Sequence, residues 1–269
     1  MSAALPARMV DKPWGCDRLP PPFTAPQGRR IGEIWFEPPA ALAGLLVKYL
    51  FTSEALSVQV HPNDAQTLAK GLGRQGKEEC WLVIAAEPGA RIGIGFAAAI
   101  DAQTMRAAAR DGSIEARMRW HAVEAGDFFY IPANTVHAIG AGVSLIEIQQ
   151  HSDITYRLYD YGRPRALHLD EAVAVACGEP YSDPRRRRLG ADEAAQLVDG
   201  PSFRLDRIAG PPAAALRPAY GARPLLVIPL AGPIGIGGEH IAPGGCALAD
   251  TIDAVDFGES RLALLAQPC

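Results

Sequence analysis

The stretch that most constrains the fold is 56–81, LSVQVHPNDAQTLAKGLGRQGKEECW, read together with a second segment at 126–163. In Ser57-Val58-Gln59-Val60-His61 polar and apolar residues alternate strictly, and a β-strand places every second side chain on the same face. Ser57, Gln59 and His61 therefore point one way, while Val58 and Val60 enter a wall. Pro62-Asn63-Asp64 ends the strand, because proline cannot donate to the ladder and Asn-Asp favours a turn. The second segment runs from a Gly126-Asp127 turn through the apolar 128–131 strand to the corner Pro132-Ala133-Asn134, with His137 just beyond. This pattern carries two imidazoles to the mouth of one barrel, and the two stretches read as halves of one metal site.

The rest of the chain bounds what surrounds that site. With 269 residues it can form one large domain or two modest ones, and its core needs no covalent staples. A net charge of −4 argues against a general nucleic-acid surface. Five cysteines, odd in number, scattered and without a CxxC pair, point to a reducing compartment. The N-terminus lacks an apolar signal core and no apolar run reaches membrane-spanning length, so the expectation is a cytoplasmic protein without membrane or nucleic-acid partners. The expected assembly is a monomer or a homodimer.

Residues 1–30, rich in Pro and Arg, are expected to wrap the surface, with Trp14 of Lys12-Pro13-Trp14-Gly15 capping the open end of a sheet. Strands are predicted at 31–36, 45–50, 77–85 and 91–96, the second apolar enough to be buried on both faces. The Ala-, Arg- and Met-rich 97–120 stretch suits one or two short inserted helices, broken at Asp111-Gly112-Ser113. Strands resume at 121–125, 143–150 and 155–160, a helix follows at 167–177, and the 185–188 arginine run reads as a solvated linker. Short strands separated by Gly and Pro return from 202 onward, with His240 the single histidine there. The fold class is mainly β: two small barrels or sandwiches, the first carrying the chemistry over 1–165, the second spanning 166–269.

A divalent transition metal favours imidazole and carboxylate ligands. His61 and His137 supply nitrogen, Glu79 an anionic oxygen and Gln59 a neutral amide oxygen. Glu78 faces away from Glu79 on any strand, and a face shared by Lys77 and Glu79 makes better chemical sense for a cavity. In the segment 147–157, Glu147 and Gln149 share one face, and Asp153, Thr155 and Arg157 another. Arg157 suits a phosphate or a developing oxyanion through its planar fork of donors. An ion pair with Asp153 at a strand edge is the alternative reading.

KPWG at 12–15, SVQVHP, GKEECW, IPANTVHAIGAG and EIQQHSDITYRLYDYGR resemble, in order, the signature segments of type I mannose-6-phosphate isomerases, of the cupin superfamily. The resemblance covers about residues 9–170 well and the remainder loosely. It implies two cupin-like jelly-roll barrels with a small helical insertion, the second barrel degenerate and without metal. It implies zinc, one ion per chain, held by Gln59, His61, Glu79 and His137. Ser57, Lys77 and Arg157 would line a sugar-phosphate pocket, with Glu147 and Asp153 nearby as further catalytic residues. The implied reaction interconverts mannose 6-phosphate and fructose 6-phosphate through a cis-enediol, the proton being carried by Lys77, Glu147, Asp153 or a zinc-bound water. For Lys77 to be the base, its pKa would have to be depressed. The chain departs from the general cupin corner in having Asn134 where glycine is usual, and it is short for the family, so the insertion must be reduced. Two rival functions fit the same residues: a mononuclear iron oxygenase, since two His and a carboxylate suit Fe(II), and a sugar-phosphate-binding protein without turnover.

Overall fold

In the strand Leu45–Phe51 every residue is buried, Lys48 included, and alternation divides those side chains between two cores. The computed structural model describes residues 2–269, and strands dominate it. Among the described residues, a seven-stranded sheet holds Leu45–Phe51, Glu79–Ala86 and Val143–Gln150 at its centre. Leu50, Trp81, Val83 and Leu145 project from one face onto Ile92, Ile94 and Ile139 of a five-stranded sheet. Their sequence neighbours Tyr49, Leu82 and Ile146 project from the other face onto Leu226, Ile228 and Leu264 of a six-stranded sheet. That sheet alternates in turn, sending Leu225, Val227 and Leu265 to Ile234, Ile236 and Val255 of a small three-stranded sheet. Four β layers are thus stacked by the period-two pattern alone, and the candidate site lies between the first two.

The inserted helices are Ala102–Asp111 and Ile114–Arg117. Asp101 caps the first by accepting from the Thr104 amide, and Gly112 ends it with φ 82°, a left-handed conformation that glycine adopts without steric cost. The following strand begins at Met118 rather than 121, because Met118 pairs with Phe96 and is buried among the helices and the five-stranded sheet. The 167–177 helix is shorter than its pattern, at Leu169–Val175.

Two surface expectations are corrected. The N-terminal residues do not merely wrap the exterior: Ala7–Cys16 is a strand of the seven-stranded sheet, paired with Ile31–Phe36. Ala3–Ala4 pairs with the distant Ala247–Ala249 strand in the six-stranded sheet. The expectation for the arginine run is corrected in part: Arg186, Arg187 and Arg188 are exposed, as in a solvated segment, but most of the run is paired. Arg185 pairs with Asp183 and stacks over the Tyr130 ring, Arg187 pairs with Glu193, and Arg188 engages Asp127 and Glu124. Arg187–Arg188 also forms a short strand against Asp127–Ile131. Local carboxylates and ring faces hold what composition alone assigns to water. Among the described residues, no helix is long and apolar enough to cross a membrane.

The corner at Asn134 fixes the approach to His137. Asn134 has φ 72°, a region that Asn tolerates better than other L-residues. Its amide nitrogen donates to Gln66 Oε1 at 2.7 Å, its carbonyl accepts from the Cys177 amide, and its backbone N–H donates to the His61 carbonyl. Asn134→Ala should destabilise the protein by about 1–2 kcal/mol for the left-handed backbone, plus the lost side-chain bonds. Asn134→Gly should cost less, since only those bonds are lost. Urea midpoints of the two variants check the ordering.

Candidate metal centre and pocket

Three strands of the five-stranded sheet set a row of polar side chains. Gln59 lies directly opposite His137 on one side and Arg157 on the other, and residues facing each other in register share a face. His61 follows two residues after Gln59, at the end of Val58–Val60. From the facing sheet Glu79 opens the Glu79–Ala86 strand, directly opposite Gln149, with Glu147 two residues along. Glu78 points to the other face, where its carboxylate accepts from the Tyr130 and Ser202 hydroxyls.

His61, Glu79 and His137 are buried, and one donor atom from each lies within 4.8 Å of the others. His137 Nε2 is 3.3 Å from Glu79 Oε1 and His61 Nε2 is 3.8 Å from Oε2. Ligands of a tetrahedral ion, at bond lengths near 2.0–2.2 Å, sit about 3.4 Å apart, so these side chains fit a divalent cation. The tautomers fit as well. His61 Nδ1 lies 2.8 Å from the Ile154 carbonyl and His137 Nδ1 2.9 Å from that of Thr135. A carbonyl only accepts, so each Nδ1 carries the proton and each Nε2 turns a lone pair inward. Neither Glu79 oxygen receives a hydrogen bond. Lys77 Nζ stands 2.7 Å from Oε2, close enough for an ion pair but outside hydrogen-bond geometry. A buried carboxylate whose one close neighbour is an ammonium on Oε2, and whose Oε1 has no donor, suits a cation.

Gln59 is placed with its Nε2 3.3 Å from His137 Nε2, while its Oε1 accepts from the Ser57 hydroxyl at 3.0 Å. Turning the amide by half a rotation would present the oxygen to the cation side and leave the nitrogen to donate to Ser57, so the hydroxyl serves either orientation.

Burial and neighbouring charges set the electrostatics. Desolvation pushes His137 down to about 4, and burial, Lys77 and His137 hold His61 well below the usual imidazole range. Both are therefore neutral near pH 7, as a ligand must be. Burial raises Glu79 to about 7, with Lys77 pulling the other way. Glu147 is opposite in outcome: burial would raise it, but Lys77, Lys48 and the Trp81 indole bring it down to about 2. Lys77 itself would be lowered by burial, yet Glu147 and Glu79 more than offset this and raise it. The depression that would make Lys77 a base is not found; the ammonium is held protonated.

These groups line a cavity of about 410 Å³. Ser57, Gln59, Lys77, His137, Glu147, Asp153 and Arg157 all reach it, whereas His61 and Glu79 stand behind them. Asp153 is an exposed rim residue, and among the described residues it makes no ion pair with Arg157. Arg157 keeps its Nε buried and without a partner. Burial and Arg165 lower its pKa against the opposing charge of Asp160, and among the described residues no carboxylate pairs with it at the cavity.

Sequence reasoning passed over several lining residues. Lys48 Nζ donates to Gln149 Oε1 at 2.7 Å and to Glu147 Oε1 at 3.3 Å, 4.5 Å from the Trp35 ring centre. The signal was available, since a lysine inside an otherwise apolar strand is seldom buried without a partner. Lys12 forms an ion pair with Glu33 at 2.9 Å, so the 12–15 patch reaches the pocket as well as the sheet end. Trp81 donates to Glu147, and His168 Nδ1 accepts from the Arg157 amide.

Fold and site together define a layered β-sandwich protein with a candidate mononuclear metal site beneath a pocket lined by Lys48, Lys77 and Arg157. The chain is similar in sequence to mannose-6-phosphate isomerases over part of their length and shares the fold of solved ones. It is 39% identical over 179 residues to the mannose-6-phosphate isomerase of Streptococcus mutans serotype c, covering 64% of this chain and 56% of that protein. It is 40% identical over 160 residues to that of Bacillus subtilis strain 168, covering 57% and 50%. The chain thus spans about half the length of the curated relatives it matches. No family model matches it. Among solved structures, a mannose 6-phosphate isomerase from Bacillus subtilis superposes with a TM-score of 0.76 at 22% identity, covering 98% of each chain. A zinc-bound mannose 6-phosphate isomerase does so at 0.70 and 13%, covering 99% of each.

Glu79→Gln and His137→Ala should each weaken zinc affinity by more than the roughly tenfold loss typical of an outer-shell change, with the circular-dichroism spectrum unchanged. Competition with a chromophoric chelator measures this. Unaltered affinity in either variant would remove that residue from the ligand set.

Proposed function

We propose that the protein is a zinc-dependent aldose–ketose isomerase, interconverting D-mannose 6-phosphate and D-fructose 6-phosphate through a cis-enediol. The observation that carries this reading is that His137, the cavity-facing member of the His61–Glu79–His137 cluster, lines one cavity with Arg157, whose Nε has no partner. The names of the relatives and the zinc in one structural neighbour support the choice of reaction and ion. His61, Glu79 and His137 would hold the ion, with Gln59 as the fourth ligand. When bound, it would supply Lewis acidity toward the carbonyl and hydroxyl oxygens of an open-chain sugar.

The chain's own residues would do the following. Arg157, with no carboxylate in direct ion-pair contact, binds an anionic oxygen of the substrate, on the phosphate or on the developing enediolate. Ser57 orients the Gln59 amide and lines the sugar pocket. Lys77 stays protonated between Glu79 and Glu147, which makes it a hydrogen-bond donor to a substrate oxygen rather than the resting base. Glu147, ionised and tied to Lys48 and Trp81, steadies that ammonium. Asp153 stands at the rim, where it can meet sugar hydroxyls.

In this reading the catalytic unit occupies 1–165, and 166–269 adds a helix, a linker and a second, metal-free cupin unit. The protein works in the cytoplasm as a monomer or homodimer, on a sugar phosphate and without nucleic acid. A coupled isomerase assay before and after chelation tests the reaction: activity should vanish with chelator and return with zinc. Arg157→Ala should lose turnover by about 100-fold while retaining metal; full activity in that variant would remove Arg157 from the mechanism. Oxygen uptake by an iron-loaded sample would instead favour an oxygenase. Sugar-phosphate binding by metal-loaded protein without turnover would favour a binding protein.

A further inference from the structure

A second cavity, of about 460 Å³, opens between the seven-stranded and six-stranded sheets, away from the metal centre. Its walls are apolar: Tyr49, Leu82 and Ile146 from one sheet, Leu230 and Leu262 from the other, and Phe23 from the N-terminal segment. One charged side chain enters this lining. Arg207 lies on the strand Phe203–Ala209, two residues from Leu205, so alternation turns it toward the same core as Leu205 and Leu264. It is 7% exposed. Nη1 donates to the Gly190 carbonyl at 2.8 Å and Nη2 to that of Ala191 at 2.6 Å, but Nε has no partner.

Among the described residues, no carboxylate comes within ion-pair distance of Arg207. Asp206, its neighbour, points to the opposite face and is held by Arg204 and Tyr220, and Glu193 is committed to Arg187. A guanidinium remains charged at any ordinary pH, and a buried charge without a counter-ion is costly. Asp192 and Glu193 reach Arg207 with their charge only from beyond ion-pair distance, and apolar walls with one cation that no carboxylate contacts are the complement of an amphipathic anion.

We propose that this inter-sheet cleft is a second small-molecule site, taking a monocarboxylate with an apolar body whose carboxylate meets Arg207. The aliphatic or aromatic part would replace water against Tyr49, Leu82 and Leu230, where the gain follows the apolar area covered.

Isothermal titration of the metal-loaded full chain with octanoate, and with the neutral isostere octanamide, tests the assignment. Octanoate should bind about tenfold or more tightly than octanamide, the usual worth of a hydrogen bond to a charged group. Arg207→Gln should remove that preference. Leu230→Trp, which leaves Arg207 in place and fills the cleft, should abolish binding of both, so the test survives if the Arg207 variant does not fold. No octanoate binding to the unmodified chain, equal affinity for the two probes, or undiminished binding in the Leu230 variant would each overturn the proposal. Binding is read directly, so the outcome is independent of the isomerase reading.

Discussion

A carboxylate taken out of water must be met by donors or by positive charge, and Glu79 is met by almost none of the first. Around it stand two imidazoles that burial keeps neutral and one ammonium that burial alone would discharge. Lys77 stays charged because Glu147 and Glu79 flank it, and Glu147 stays ionised because Lys77, Lys48 and the Trp81 indole surround it. The two lysines and two glutamates form a balanced set inside the sandwich, and removing any one leaves a buried charge. This dependence suits a site whose Lys48, Glu79 and Glu147 sit on central strands, with Lys77 just before the second of them. The Leu45–Phe51, Glu79–Ala86 and Val143–Gln150 strands are hydrogen-bonded neighbours, and they hold these groups where Coulomb attraction can offset desolvation.

The other half of the site depends on backbone carbonyls. Ile154 and Thr135 each take the Nδ1 proton of one histidine, and both carbonyls belong to irregular segments beside the five-stranded sheet. The corner at Asn134 ties the Thr135 segment to the end of the His61 strand and to the helix after it, through its bonds to His61 and Gln66. Sheets position the donors, while the connecting loops choose their tautomers.

Much of this was legible in the sequence, for a specific reason. Alternation in 57–61 puts Ser57, Gln59 and His61 on one face, and a two-residue period survives any tertiary context. It also separates Glu79 from Glu78. Lys48 was passed over because it sits in a strand whose apolar character hides it, although its partner Glu147 was itself among the candidates. The pairing of the arginines at 185–188 was missed because Arg188 takes distant acids, Glu124 and Asp127, while Asp183 and Glu193 flank the run without any pattern that marks them as partners. Composition cannot show that a charge run has found its acids, and the left-behind Arg207 is invisible for the same reason.

The strand Val143–Gln150 carries two messages in one text. Leu145, Glu147 and Gln149 address the reactive side, while Ile146 and Ile148 address the core shared with the C-terminal sheet. The two are interleaved residue by residue, and the sheet absorbs an irregularity only at Ser144/Leu145, before the charged positions begin. A single inserted residue beyond that point would transpose them, driving a carboxylate into the greasy seam and presenting an isoleucine to the ion. Chemistry and scaffolding here are thus locked to one reading frame of the pleat, and neither can drift without the other.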